Sequence, residues 1–219
     1  RGKKRGVAKG ARRIRSRFVG ALEPLTLVTV VYFEREYRDL VQFRDVETVC
    51  SPMRAPDLGA LGLIGYFAEL LDEWAPEGHP NERLYRLGAS SVDALSRGIP
   101  TDRLARYFEY WLLRLEGVYP SVIACHQCSM DLLDRGAFIA AGRSVFVCPS
   151  CGPTNNGRSL SPEALTFIRA AATTGFDRLA KLDLSPRAAC ELEAVHRLLI
   201  STHLDKELKS IKVLRELGA

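Results

Sequence analysis

The pattern of apolar and polar positions changes its period along the 219-residue chain. Residues 25–33, LTLVTVVYF, are dense in β-branched and aromatic side chains, and Leu40–Val49 alternates apolar with polar. The polar run EREYRD between them reads as a turn, so the two segments predict an antiparallel hairpin. A shorter strand over Arg5–Lys9 is expected to pair with it. The β module closes at CSPMRAPD, residues 50–57, where two prolines and an Asp punctuate the chain.

Beyond this point the period becomes helical. Leu58, Leu61, Ile64, Phe67, Ala68, Leu71 and Trp74 recur three and four residues apart and predict a helix from Asp57 to Trp74. PEGHPNE breaks it, a second helix is expected over residues 81–97, and GIPTD supplies Thr101 as the N-cap of a third. That third helix, DRLARYFEYWLLRLEGVYP, puts Leu104, Tyr107, Phe108, Trp111, Leu112 and Leu115 on one broad face. Its aromatic stripe reads as core, because aromatic platforms for single strands usually sit on exposed strands. SPEALTFIRAAATT carries a Ser N-cap, a Pro at the first helical position and an acidic first turn. SPRAACELEAVHRLLISTHL repeats that start signal and is expected to run on into DKELKSIKVLREL. The pattern therefore predicts an α+β multidomain chain: a β domain over residues 1–50, and a mainly helical domain over 51–219 with an insertion at 121–155.

Composition adds little to this frame, and charge adds much. Hydrophobic content of 47% and charged content of 26% are ordinary for globular proteins and suffice for a core. No apolar run approaches the ~18 residues that span a bilayer, and no secretory h-region opens the chain, so a cytoplasmic protein with no membrane partner is expected. The formal net charge is +5, yet nine of the first seventeen residues, RGKKRGVAKGARRIRSR, are Lys or Arg and none is acidic. The rest of the chain is thus net acidic, and the cationic field is concentrated at one end, the footprint of a polyanion binder.

Four of the six cysteines form Cys125-x₂-Cys128 and Cys148-x₂-Cys151, nineteen residues apart. Each C-x₂-C lets two thiolates reach one tetrahedral ion from a tight turn, and the spacing fits a zinc ribbon. One structural Zn²⁺ per chain is expected, since four thiolates leave no open position for chemistry. GAFIA and SVFVC supply two short strands to bring the pairs together, and Gly152 supplies a permissive backbone after the second pair. His126 lies inside the segment as a bystander, and Cys50 and Cys190 read as small buried side chains.

Catalytic signals do not assemble. The chain contains no phosphate-loop, dinucleotide or nucleophile-elbow motif, and its four histidines, 79, 126, 196 and 203, are scattered. Neither His79 nor His126 begins the H-x-E of a zinc deaminase. Asp131/Asp134 and Glu191/Glu193 read as solvated faces. A non-enzymatic binder is the expectation.

Four stretches, in this order, resemble the RecO family of bacterial recombination mediators: GVAKGARRIRSRFVGALEPLTLVTVVYF, LARYFEYWLLRLEGVYP, the paired C-x₂-C segment and HLDKELKSIKVL. The resemblance implies an N-terminal OB-fold, here partial because the chain begins about two strands into that five-stranded barrel. It further implies a helical domain carrying the zinc insertion, and a nucleoid-associated role in repair. The implied function is to bind single- and double-stranded DNA, anneal complementary strands and help load RecA onto DNA coated with single-strand-binding protein. RecR and the C-terminal tail of single-strand-binding protein are the implied partners.

On that reading Lys3, Lys4, Arg5, Lys9, Arg12, Arg13, Arg15 and Arg17 contact phosphates, and neutralising about six on a single strand predicts a log–log salt slope near −4. Arg103, Arg106 and Arg114 flank the apolar face of the third helix, where an acidic peptide with an apolar end is expected to dock. Lys206, Lys209, Lys212 and Arg215 extend the basic patch, meet such a peptide, or form a solvated helix face. The competing reading is a zinc-ribbon RNA-binding or transcription-associated adaptor, which accounts for metal and charge but not for the central helices.

Overall fold

The computed structural model describes residues 2–37, 39–54, 58–140, 142–152 and 157–216. Asp57, expected to open the first helix, and residues 153–155, expected to end the insertion, lie outside the described residues, as does the Arg215 side chain. The chain divides into two compact units, residues 1–98 with 208–219, and residues 99–207.

The first unit holds three strands, β1 (Arg5–Val7), β2 (Leu27–Phe33) and β3 (Leu40–Cys50). The expected hairpin forms: β2 pairs antiparallel with β3, from Leu27 opposite Cys50 to Phe33 opposite Gln42, with irregularities at Leu27/Val28 and Val31/Tyr32. β1 runs parallel to β3, giving the order β1-β3-β2. The described strands form an open sheet and not a closed barrel. Phe18, Ala21 and Val46 make a small core against it, joined by Ala8, Ala11, Val28 and Phe43.

Among the described residues this unit also has a 3-10 turn at Pro52–Arg54 and three α-helices: α1 (Leu58–Trp74), α2 (Glu82–Ser96) and, far along the chain, α6 (Ser210–Glu216). The apolar stripe read for α1 is rotated in the structure. Leu58 and Leu61 are exposed, while Leu63, Tyr66 and Leu70 are buried beside Ile64 and Phe67. A helix apolar nearly all round gives its buried side no distinct period. Asn81 caps α2 by accepting from the Leu84 N–H at 3.1 Å, and Glu82 pairs with Arg86 one turn on. α6 is fastened to α1 by the Glu69 carboxylate, which accepts from the backbone N–H groups of Lys209 (2.9 Å) and Ser210 (2.8 Å). Burial pushes the Glu69 carboxyl up, but the hydroxyl and N–H donors of Ser210 and the N–H of Lys209 outweigh it and hold the group below its ordinary value.

The second unit contains α3 (Thr101–Leu115), β4 (Ala137–Ala140), β5 (Gly157–Leu160), α4 (Pro162–Ala171) and α5 (Pro186–Leu204). Thr101 is the first helical residue of α3 and not its cap; Pro100 holds the cap position and offers no side-chain acceptor. Ser161 and Ser185 cap α4 and α5 as expected, accepting from Ala164 and Ala188 at 3.3 and 3.2 Å. The aromatic stripe of α3 is core: Tyr107 and Phe108 are buried, the Tyr107 hydroxyl donates to the Thr174 carbonyl at 2.7 Å, and the Trp111 indole donates to that of Ala171 at 3.2 Å. α5 does not run on into the C-terminal segment. Asp205 adopts a left-handed conformation (φ 52°) that ends it, and α6 begins separately in the first unit. No helix among the described residues is long and apolar enough to cross a membrane.

Candidate functional site

Cys125, Cys128, Cys148 and Cys151 bring their sulfur atoms within 4.8 Å of one another. A tetrahedron of metal–thiolate bonds about 2.3 Å long has sulfur–sulfur edges of about 3.8 Å. The Cys128 and Cys148 sulfurs stand 3.7 Å apart, so the thiols are arranged for one tetrahedral ion. His126 is exposed and outside the cluster.

The local folding follows from the two turns. In the first, the Ser129 N–H donates to the Cys125 carbonyl at 2.9 Å and Ser129 takes a left-handed φ of 60°. In the second, the Cys151 and Gly152 N–H groups converge on the Cys148 carbonyl at 3.0 and 2.9 Å. The His126 N–H joins the turns by donating to Phe146 O at 3.0 Å, and the Cys148 N–H donates to the Cys125 sulfur at 3.2 Å. Burial pushes the Cys125 thiol up, but N–H donors from Cys148, Cys128 and Gln127 outweigh it and draw the group down to about 6. The Cys148 and Cys128 thiols push Cys151 up to about 12. Cys125 is thus the thiol of the four favoured as thiolate, and Cys151 one held protonated by its neighbours.

Strand pairing around the cluster differs from the sequence expectation. β4 falls within GAFIA, but SVFVC contributes only one bridge, between Val147 and Phe138, with N–H to O distances of 2.8 and 3.0 Å. The main partner of β4 is β5, from Ala137 opposite Leu160 to Ala140 opposite Gly157. Gly152 is also explained differently: a Cβ there would stand 3.1 Å from the Phe138 ring. At Gly157 a Cβ would meet the same ring at 2.1 Å. The two glycines leave room for Phe138 to pack behind the cluster. Cys50 is half-buried near the Ser96 hydroxyl and Cys190 is exposed, so neither is the buried small side chain expected.

The basic opening separates into two groups within the first unit. Lys3 pairs with Asp72 at 2.7 Å, Lys4 with Glu34, and Arg5 with Glu77 at 3.1 Å. These three cations lie in β1 or just before it and already have carboxylate partners. Lys9, Arg12, Arg13, Arg15 and Arg17 stand exposed on the loop between β1 and β2, with no ion pair to any described residue. The loop is a succession of tight turns: Ala11, Arg13, Ser16, Val19 and Ala21 each donate to the carbonyl three residues back, at 2.9–3.3 Å. Phe18 and Ala21 pin its far end into the small core under the sheet.

The residues expected to meet a partner divide between the units. Lys209 and Lys212 are exposed in the first. In the second, Arg103 donates to the Ala180 carbonyl at 3.4 Å, and Arg114 lies over the Tyr110 and Trp111 rings. Arg106 is buried, 3.2 Å from Glu109, so its charge is spent inside the fold and little surface remains for a peptide to meet. Glu191, one of the paired carboxylates, accepts from the Ser161 N–H at 2.8 Å and from Arg187 at 3.0 Å.

A buried polar relay went unread in the sequence. His196 Nδ1 lies 2.9 Å from Glu109 and its Nε2 lies 3.1 Å from the Tyr119 hydroxyl, while the Tyr119 ring approaches Phe146 of the cysteine segment at 6.2 Å. Its signal was a polar residue inside an apolar stripe, Glu109 beside Phe108 and Leu112, and His196 between Val195 and Leu199.

A small open sheet with an exposed cationic loop, and a helical unit with four clustered thiols, define an α+β class of protein. Residues 1–52 match the family model for the N terminus of recombination protein O, and residues 55–212 match that for its C terminus. Proteins named DNA repair protein RecO are similar across nearly the whole chain. That of Geobacter metallireducens is 33% identical, covering 99% of this chain and 86% of its own length. Those of Koribacter versatilis and Geobacter sulfurreducens are 33% and 34% identical, covering 99% of this chain and 88% and 87% of theirs. The chain belongs to the RecO family, and its role lies in DNA repair and recombination.

Proposed function

We propose that this protein is a non-catalytic recombination mediator that binds single- and double-stranded DNA and anneals complementary strands. On this reading it helps load RecA onto DNA coated with single-strand-binding protein, in the bacterial cytoplasm. The observation that carries the proposal is the loop of five cations, Lys9, Arg12, Arg13, Arg15 and Arg17, none engaged by a described acidic residue. Cations already paired within a protein gain little from a phosphate, whereas free ones release counterions from the strand and bind it without regard to sequence. A loop that screens phosphates on two strands at once lowers the repulsion opposing their pairing.

The sheet is read as part of an OB-fold, whose barrels commonly carry nucleic acid. The thiol cluster is read as a structural Zn²⁺ site, because four thiolates leave no position for substrate. RecR and the tail of single-strand-binding protein are the proposed partners, with Arg103, Arg114, Lys209 and Lys212 as the exposed or half-exposed cations for acidic segments. Membership of a DNA repair family favours this reading over a zinc-ribbon RNA-binding or transcription-associated adaptor.

The test is renaturation of complementary oligonucleotides in the presence of single-strand-binding protein. The wild-type chain is expected to accelerate pairing, and a variant with Arg12, Arg13, Arg15 and Arg17 changed to Glu is expected to lose at least about tenfold of that rate. Equal rates for variant and wild type would remove the loop from the DNA site. No acceleration by the wild type would remove annealing from the function.

A further inference from the structure

Ile14 is 98% exposed at the tip of the cationic loop. The Ser16 N–H donates to the Arg13 carbonyl at 2.9 Å, so Arg13–Ser16 is a tight turn with Ile14 at its second position. That position favours Pro and tolerates most residues, but nothing in turn geometry calls for a β-branched apolar one. At that exposure the Ile14 side chain packs against no neighbour, so its role is not in the fold of the loop. Arg12, Arg13, Arg15 and Arg17 surround it in sequence, all exposed. The loop beneath is braced by its turn hydrogen bonds, by Ser16 Oγ accepting from the Phe18 N–H at 3.2 Å, and by Phe18 and Ala21 in the core. Minor-groove binders combine cationic contacts with an apolar side chain, Ile among them, inserted between base steps, and this braced loop offers both.

We infer that Ile14 is an apolar wedge that enters the base stack of duplex DNA held by the surrounding arginines. The inference rests on the DNA-binding reading above and adds a separate act to it: the arginines hold the strands and Ile14 separates neighbouring bases. Phosphate contacts are indifferent to stacking, so binding and unstacking are separable.

The test places 2-aminopurine, whose fluorescence is quenched by stacking, inside a duplex, and follows binding independently by anisotropy of an end label. Each protein is compared at the concentration that saturates its own anisotropy change. Wild type is expected to raise the 2-aminopurine signal, I14L to retain the rise and I14S to lose it; circular dichroism confirms that both variants fold, as so exposed a position predicts. A rise undiminished in I14S, or no rise with wild type at saturation, overturns the wedge while leaving DNA binding intact. No anisotropy change with wild type would instead overturn the DNA-binding reading and the wedge with it.

Discussion

At His196 the donor inventory fixes the chemistry of a buried site. The Glu109 carboxylate can only accept, so His196 Nδ1 carries the proton and Nε2 accepts from the Tyr119 hydroxyl. Burial, and then the neighbouring Tyr110 and Glu109, push the Tyr119 hydroxyl well above its ordinary value, keeping it a donor. Burial lowers His196, Glu109 draws it back up in part, and the nearby Arg106 guanidinium lowers it again, leaving the imidazole neutral in the folded protein. The unfolded chain binds the proton more readily, so stability falls as pH drops below about 6.5, by up to about 1.4 kcal/mol per pH unit. His196→Ala leaves the buried Tyr119 hydroxyl and part of the Glu109 carboxylate without partners, and a loss of about 2–3 kcal/mol is expected. Urea titrations of wild type and variant from pH 5 to pH 8 check both statements. The difference between the two curves should narrow toward low pH, and a constant difference would show that His196 does not titrate with folding.

Among the elements, the cysteine segment shows where a sequence speaks and where it is silent. Both C-x₂-C turns were legible because the ligand spacing is itself the chemistry. The strand that flanks them was not: GRSL, residues 157–160, has no period-two pattern and opens on Gly, yet it pairs with β4 through four residues. Its Gly157 is needed because the Phe138 ring and the Ile139 carbonyl occupy the space of a side chain, a reason that exists only once β4 is in place. SVFVC has the better strand composition, but after its single bridge Val147 leads directly into the second turn. Closure of this segment therefore depends on the cluster more than on strand propensity. About one equivalent of zinc per chain is expected by elemental analysis. A chelator should expose amides between residues 121 and 160 to hydrogen exchange while α1 and α2, in the other unit, stay protected. Unchanged protection in the cysteine segment after metal loss would remove the structural role assigned to the ion.

For the molecule as a whole, the proposed DNA binding turns on how many of its cations are not already paired within the fold. The charge run was plain in the sequence, and so was the hairpin it leads into. Its division was not, because Asp72, Glu34 and Glu77, which neutralise Lys3, Lys4 and Arg5, lie some thirty to seventy residues away and reach them only through the tertiary fold. Arg106 is removed from the surface for another reason: it and Glu109, one turn on, are buried together. The division changes a measurable number. Single-strand binding releases about 0.7 counterion per phosphate neutralised, so five free cations predict a log–log salt slope near −3.5, and eight would predict a slope near −5.6. Binding isotherms across a series of salt concentrations should give the shallower value. Arg12→Gln or Arg15→Gln should each reduce its magnitude by about 0.7, and Lys4→Gln should leave it unchanged, because the ion pair with Glu34 already withholds that charge. A slope near −5.6, with Lys4→Gln as costly as Arg15→Gln, would mean that DNA breaks the ion pairs of β1 and recruits the whole basic opening.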